Sequence, residues 1–185
     1  MKIGGLDVSK ACTGWATIEG EQIRFGVWKP TAKSDGLIIE EFRANVRTWV
    51  LVNKIDVVGI EAALMQVGGF GKSEDDLLGG APQRKAMTSP KILFILHALN
   101  MVAQGVCESL NVPWHPVAVQ SHRKSFLGAG KIPKGQGKVM TRDKLKMMGI
   151  AVKSLDACDA ISICWHAAGI HKQHLMTGAD LFRGK

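Results

Sequence analysis

The stretch SLDACDAISICWHAAG, residues 154–169, carries two aspartates inside an otherwise apolar run. Asp156 and Asp159 stand three residues apart, and on a helix positions i and i+3 share one face. Two carboxylates therefore point the same way from a segment whose other residues ask for burial. An unpaired buried carboxylate is very unfavourable, so this face needs cations, a shared proton or water. Which of these it meets depends on what the rest of the chain brings to it.

Upstream, KIGGLDV (2–8), GWATIEG (14–20) and QIRFGVW (22–28) read as three short strands of a meander joined by polar turns. From Ser34 to Asn53, apolar residues at Leu37, Ile38, Phe42, Val46, Trp49 and Val50 have helical spacing with one apolar face. DVVGIEAAL (56–64) is a short continuous apolar run, a buried strand ending near Glu61. Residues 65–89, rich in glycine and charge, are expected to form a long surface loop. Ser89 and Pro90 then provide an N-cap and a proline at the first helical position. The helix they open, Lys91–Leu110, is apolar nearly all round in its first half, which implies deep burial or a subunit contact. WHPVAV (114–119) supplies a fifth strand; a short helix near Val139–Met148 precedes the helix of the opening motif. The order βββαβαβ(α)α predicts an α/β fold, a mixed five-stranded sheet flanked by helices.

The chain has 185 residues and is 46% hydrophobic, which fits a single domain spanning 1–185 with a substantial core. No apolar run reaches the ~18–20 residues that span a bilayer, and MKIGGLDVSK enters a strand without the apolar segment of a signal peptide. No membrane association is expected. Cys12, Cys107, Cys158 and Cys164 form no C-x-x-C pair, so neither a disulfide framework nor a zinc site is expected, and a reducing cytoplasm fits best. The net charge of +8 is localised: Ser121–Lys153 holds nine basic residues and one acid, Asp143, while the remainder is balanced. Arg123, Lys124, Lys131, Lys134, Lys138 and Arg142 lie there as candidate DNA-binding residues. The interleaved glycines of GAGKIPKGQGK (128–138) suggest a mobile loop able to approach a phosphate backbone. A solvated lysine-rich loop is the plainer alternative.

Two more acids sit where apolar elements end: Asp7 after the first strand and Glu61 after the fourth. If these strands are parallel neighbours, both emerge at one sheet edge, and the last helix can bring Asp156 and Asp159 over it. Four converging carboxylates repel one another unless neutralised. Mg²⁺ favours carboxylate and water oxygens, and two ions ~3.5–4 Å apart can clamp an in-line phosphoryl displacement. The acids thereby predict two Mg²⁺ per site, with Mn²⁺ as a substitute, and the basic segment predicts a polyanionic substrate.

GLDVSKACTGWA (5–16) resembles the first-strand motif of RuvC-type Holliday-junction resolvases of the RNase H-like superfamily. VVGIEAAL (57–64) resembles that family's strand-borne glutamate, and SLDACDAISICWHA (154–167) its closing D-x-x-D-A helix. The three motifs, in order across nearly the full chain with VAVQSHRKSFLGAGK (117–131) between the last two, imply an RNase H-like nuclease. The resemblance implies a metal-dependent endonuclease, a homodimer acting on branched, four-way DNA. It casts Asp7, Glu61, Asp156 and Asp159 as metal ligands, gives Lys131 or Lys138 the scissile phosphate, and makes Lys91–Leu110 the dimer helix. An aromatic that typically follows the glutamate is Leu64 here; Met65 and Phe70 are the nearby substitutes. The longer glycine-rich loop implies a divergent, phage-type member working in a bacterial cell or phage-infected host.

GGFGKS (68–73) fails as a phosphate loop, because Gln66 stands where its first glycine belongs. His166, His171 and His174 match no zinc spacing. His97, Trp15, Trp28, Trp49 and Trp165 read as core residues, with Trp114 flanking a strand. Alternatives that keep the fold are a nuclease for flaps, forks or RNA–DNA hybrids and a junction-binding module that does not cut. An actin-like kinase would need a second phosphate hairpin and greater length.

Overall fold

The computed structural model describes residues 1–63, 89–128, 132–133 and 135–181, with side chains as far as residue 171. Strands β1 (Lys2–Asp7), β2 (Thr13–Glu19), β3 (Gln22–Trp28), β4 (Val57–Glu61) and β5 (Trp114–Val117) form one sheet in the order β3-β2-β1-β4-β5. The pairs β1–β2 and β2–β3 are antiparallel, and β1–β4 and β4–β5 are parallel. This is the mixed five-stranded sheet expected from the sequence. Helices α1 (Asp35–Asn53), α2 (Pro90–Ser109), α3 (Val119–Leu127), α4 (Gly137–Met147) and α5 (Leu155–Leu181) complete it.

Strand side chains alternate between faces, and the two faces carry different helices. Leu6, Val58 and Ile60 pack with Phe42, Val46 and Trp49 of α1 and Ile95, Leu99 and Ala103 of α2. Ile3, Ala16 and Val57 pack with Ala157, Cys158, Ala160, Ile161 and Cys164 of α5, Phe126 of α3 and Leu145 of α4. Ser34 caps α1 through Leu37 N–H, and Ser89 caps α2 through Ile92 N–H ahead of Pro90.

Period two puts Ile3, Gly5 and Asp7 of β1, and Val57, Gly59 and Glu61 of β4, on the α5 face. The glycines are what let the helix lie directly on the strands. A Cβ at Gly5 would stand 2.4 Å from Ala160 O and 2.6 Å from Cys164 N, and one at Gly14 would stand 2.1 Å from Asp156 O. Helix backbone against strand backbone leaves no side chain that could move aside.

Several sequence expectations are corrected. The expected short helix near Val139–Met148 is α4, but the sequence reading has no helix where α3 opens the basic segment; His122 and Phe126, four residues apart, supply the buried side of α3. The first half of α2 is not deeply buried: Phe94 is 75% and Met101, further along, 70% exposed. That helix is also long and apolar enough, by length and composition, to cross a membrane, with mean hydropathy 1.4. Its Asn100, however, is buried and donates to the carbonyl of Glu61 at 2.6 Å, so α2 is tied to the sheet. Trp165 is 44% exposed, resting edge-on against Phe126 rather than filling the core, and His97 is only partly buried. The four cysteines are free. The glycine-rich loop, with Leu64, Met65 and Phe70, lies outside the described residues, apart from Ser89.

Gly5→Ala is expected to lower the unfolding free energy by roughly 1–3 kcal/mol, as overpacking does. Gly169→Ala, on the exposed side of α5 with nothing within 4 Å of its Cβ position, is expected to raise it by about 0.5–1 kcal/mol. Urea denaturation of the two variants checks both signs.

Candidate metal centre

The parallel register pairs Leu6 with Ile60, so the next residues, Asp7 and Glu61, lie side by side at the carboxyl ends of adjacent strands. Open α/β sheets form their sites at such ends. The first turns of α5 cross over this edge. One carboxylate oxygen each from Asp7, Glu61 and Asp159 lies within 4.8 Å of the others. Asp159 is fully buried and Asp7 nearly so. Asp156 shares the helix face but stands outside this trio, with its side chain 30% exposed.

Two cations reach in from the basic segment. Lys138 Nζ lies 2.6 Å from Asp156 Oδ1, 3.0 Å from Asp7 Oδ2 and 3.7 Å from Asp159 Oδ2. Arg123 Nη2 donates to Asp159 Oδ2 at 2.7 Å. The opening question thus has a first answer: the i, i+3 pair faces a lysine and an arginine. Two cations do not balance four carboxylates, and the surplus appears in the proton affinities. Burial, followed by the charges of Asp7 and Asp159, pushes Glu61 up to about 8. Burial raises Asp7 to about 6 against the pull of Lys138. Burial works against the Lys138 ammonium, but Asp7 and Asp156 outweigh it and hold the group above its ordinary range.

These residues fit a divalent metal. The donors are hard carboxylate oxygens, the kind Mg²⁺ and Mn²⁺ take. Glu61 Oε2 and Asp159 Oδ1 are buried and have no hydrogen-bond partner among the described residues, an arrangement that is costly unless a cation or proton meets them.

Of the six candidate DNA-binding residues, Arg123 and Lys138 turn inward to the carboxylates. Lys124 and Arg142 are exposed, Arg142 beside Asp143; Lys131 and Lys134 lie outside the described residues. Sequence reading missed three residues that surround the cluster. Asn100 holds the Glu61 backbone. His122 is fully buried, with Nε2 3.7 Å from Glu61 Oε2 and Nδ1 2.6 Å from Ser162 Oγ. Burial, then Arg123, depresses His122 to about 3, so it is a neutral ring and not a salt-bridge partner. The available signals were a lone asparagine in an apolar helix and a histidine four residues before a phenylalanine.

Carboxylates whose folded pKa is raised favour the fold most at low pH, and that advantage is lost as pH rises through the folded values. The metal-free protein is therefore expected to lose several degrees of Tm between about pH 5 and pH 8. Mg²⁺ or Mn²⁺ should restore more Tm at the upper end, where protons no longer compete with it. Glu61→Gln should flatten the metal-free profile. Thermal denaturation with and without chelator measures all three.

No protein-family model matches the chain, and no curated protein matches it in sequence. Solved structures do match in shape. RuvC of Thermus thermophilus in complex with a Holliday junction superposes with TM-score 0.64 at 14% identity, over 94% of this chain and 96% of that one. A second structure of Thermus thermophilus RuvC gives 0.64 at 15%, over 94% and 97%. The yeast mitochondrial Holliday junction resolvase gives 0.58 at 13%, over 97% and 83%. Along nearly its whole length, the chain has the RNase H-like fold of these proteins.

Proposed function

We propose that this protein is a metal-dependent endonuclease that resolves four-way DNA junctions by paired phosphodiester hydrolysis. The observation that carries the reading is the meeting of Asp7, Glu61 and Asp159, from two parallel strands and the helix laid across them, within 4.8 Å. The shared fold of junction resolvases supports the substrate class. Asp7, Glu61 and Asp159 hold divalent ions, Mg²⁺ or Mn²⁺, and Asp156 at the open side completes a two-ion set. When bound, such ions activate water and stabilise a leaving 3′ oxygen. Arg123 fixes the direction of the Asp159 carboxylate by donating to its Oδ2. Lys138, placed among the same carboxylates, is the cation nearest to any phosphate entering the site. The exposed Lys124 and Arg142, with Lys131 and Lys134, provide attraction for the DNA backbone.

A homodimer belongs to this reading, because paired cuts on two strands need two sites. Phe94 and Met101, seven residues apart on α2 and both exposed, lie on one helix face and supply its apolar contact.

Cleavage is tested with Mg²⁺ or Mn²⁺ on a four-way junction, a flap, a fork, linear duplex and an RNA–DNA hybrid. Symmetric nicking of the junction, abolished by Asp7→Asn, is the expected result. Lys138→Met is expected to slow cleavage about 10²–10³-fold, as loss of one charge-stabilising donor does. Preference for flap, fork or hybrid would move the substrate; junction binding without cutting under either metal would reject the enzyme. Sedimentation of the parent should give a dimer, and Phe94→Glu with Met101→Glu a monomer.

A further inference from the structure

Behind the carboxylates lies a buried polar line to which neither the acidic pattern nor the resemblance gives a part. Glu61 Oε2 and His122 Nε2 are both buried and without hydrogen-bond partners among the described residues, and they face each other at 3.7 Å. On the other side of the ring, Nδ1 lies 2.6 Å from Ser162 Oγ. Ser162 Oγ in turn lies 2.9 Å from the backbone oxygen of Asp159, one turn earlier on α5. His122, Ser162 and Asp159 are all fully buried. The line therefore runs from the side chain of one candidate ligand to the backbone of another, through α3, without meeting solvent.

We propose that His122 is the positioning residue for Glu61. In the metal-loaded site its Nε2–H donates to Glu61 Oε2 and fixes the direction of that carboxylate, while the Ser162 hydroxyl donates to Nδ1 and fixes that tautomer. The inference rests on the reading of Glu61 as a metal ligand. Ser162 has one proton and two acceptors within reach, Nδ1 and the Asp159 carbonyl. If it goes to the carbonyl, Nδ1 must carry the ring hydrogen and Nε2 turns a lone pair toward Glu61. An ionised Glu61 disfavours that arrangement and selects the Nε2–H form. The remaining gap exceeds a hydrogen bond by less than ~1 Å, within the swing of a carboxylate. Outer hydrogen bonds of this kind orient metal ligands, and their loss typically weakens metal affinity about 10–100-fold.

The test is Mn²⁺ affinity, read from the electron paramagnetic resonance of free Mn²⁺ in the absence of DNA, with Tm of the metal-free protein alongside. His122→Leu is expected to weaken binding about 10–100-fold with little change in the metal-free Tm: it removes the Nδ1 bond to Ser162, which keeps the Asp159 carbonyl as partner, and with it the unpartnered buried Nε2. His122→Gln, which keeps an N–H donor, should recover most of the affinity. Ser162→Ala should weaken binding by a smaller factor. Unchanged affinity in His122→Leu overturns the proposal. If that variant does not fold, unchanged affinity in Ser162→Ala overturns it instead. Glu61→Gln separates the two readings: if it leaves Mn²⁺ affinity intact, the metal centre itself is misread. If it weakens affinity while His122→Leu and Ser162→Ala do not, only the role of His122 falls.

Discussion

The close approach of α5 to the sheet is the constraint on which the molecule is built. Its backbone lies so near β1 and β2 that a single methyl group at Gly5 or Gly14 would strike Ala160 O or Asp156 O. That approach fixes the height and the register of the helix over the strands. Because strand side chains alternate, the face that offers glycine at 5 and 59 offers an acid two residues later, at 7 and 61. The spacing that makes room for the helix also delivers the carboxylates to its first turns. A bulkier residue at either glycine would push Asp156 and Asp159 away from their partners, so packing and chemistry depend on the same contact.

The second consequence is electrostatic. Folding gathers Asp7, Glu61 and Asp159 within 4.8 Å and removes most of their water. Arg123 and Lys138 offset part of the repulsion, and the rest appears as raised proton affinity at Glu61 and Asp7. Such a cluster is a liability to the metal-free fold. Proteins tolerate liabilities of this kind at functional sites, where local rules are broken in exchange for activity. Asn100 shows how far the surrounding structure bends to hold the cluster. A polar side chain sits in the most apolar of the described helices, bonded to the backbone of Glu61 where β4 ends.

Much of this was legible in the sequence because it rests on short-range periodicity. A strand-rich meander marked β1, a short continuous apolar run marked β4, helical spacing marked α1, and Ser89-Pro90 marked the start of α2. The acids stood out as charges in apolar company, and parallel pairing of two strands was the single spatial assumption needed to bring Asp7 beside Glu61. What escaped depends on contacts distant in sequence. Arg123 and Lys138 read as charge for DNA because nothing local says that a cation will be drawn to a carboxylate 36 residues ahead, at Asp159, or 131 residues back, at Asp7. His122 was hidden inside a basic run whose charge masked the apolar spacing of α3. Trp165 was misjudged for the opposite reason: its bulk suggests the core, but α5 is so close to the sheet that small residues such as Ala157, Ala160 and Cys164 fill the interface.

The same contacts change what the charge surplus means. Counted along the chain, Ser121–Lys153 carries the entire excess and looks like a surface made for DNA. In the fold, part of it is already committed. Arg123 and Lys138 serve carboxylates, Arg142 lies against Asp143, and Lys144 donates to the carbonyl of Phe126. Lys124, Lys146 and Lys153 stay exposed and provide long-range attraction. On the proposed function, loading of the site with divalent cations alters this balance, since metal and ammonium compete for the same oxygens of Asp7, Asp156 and Asp159. Lys138, released from those oxygens, would be free to turn toward phosphate. On that reading the basic segment would act in two stages, first holding together a cluster that otherwise repels itself, then meeting the substrate.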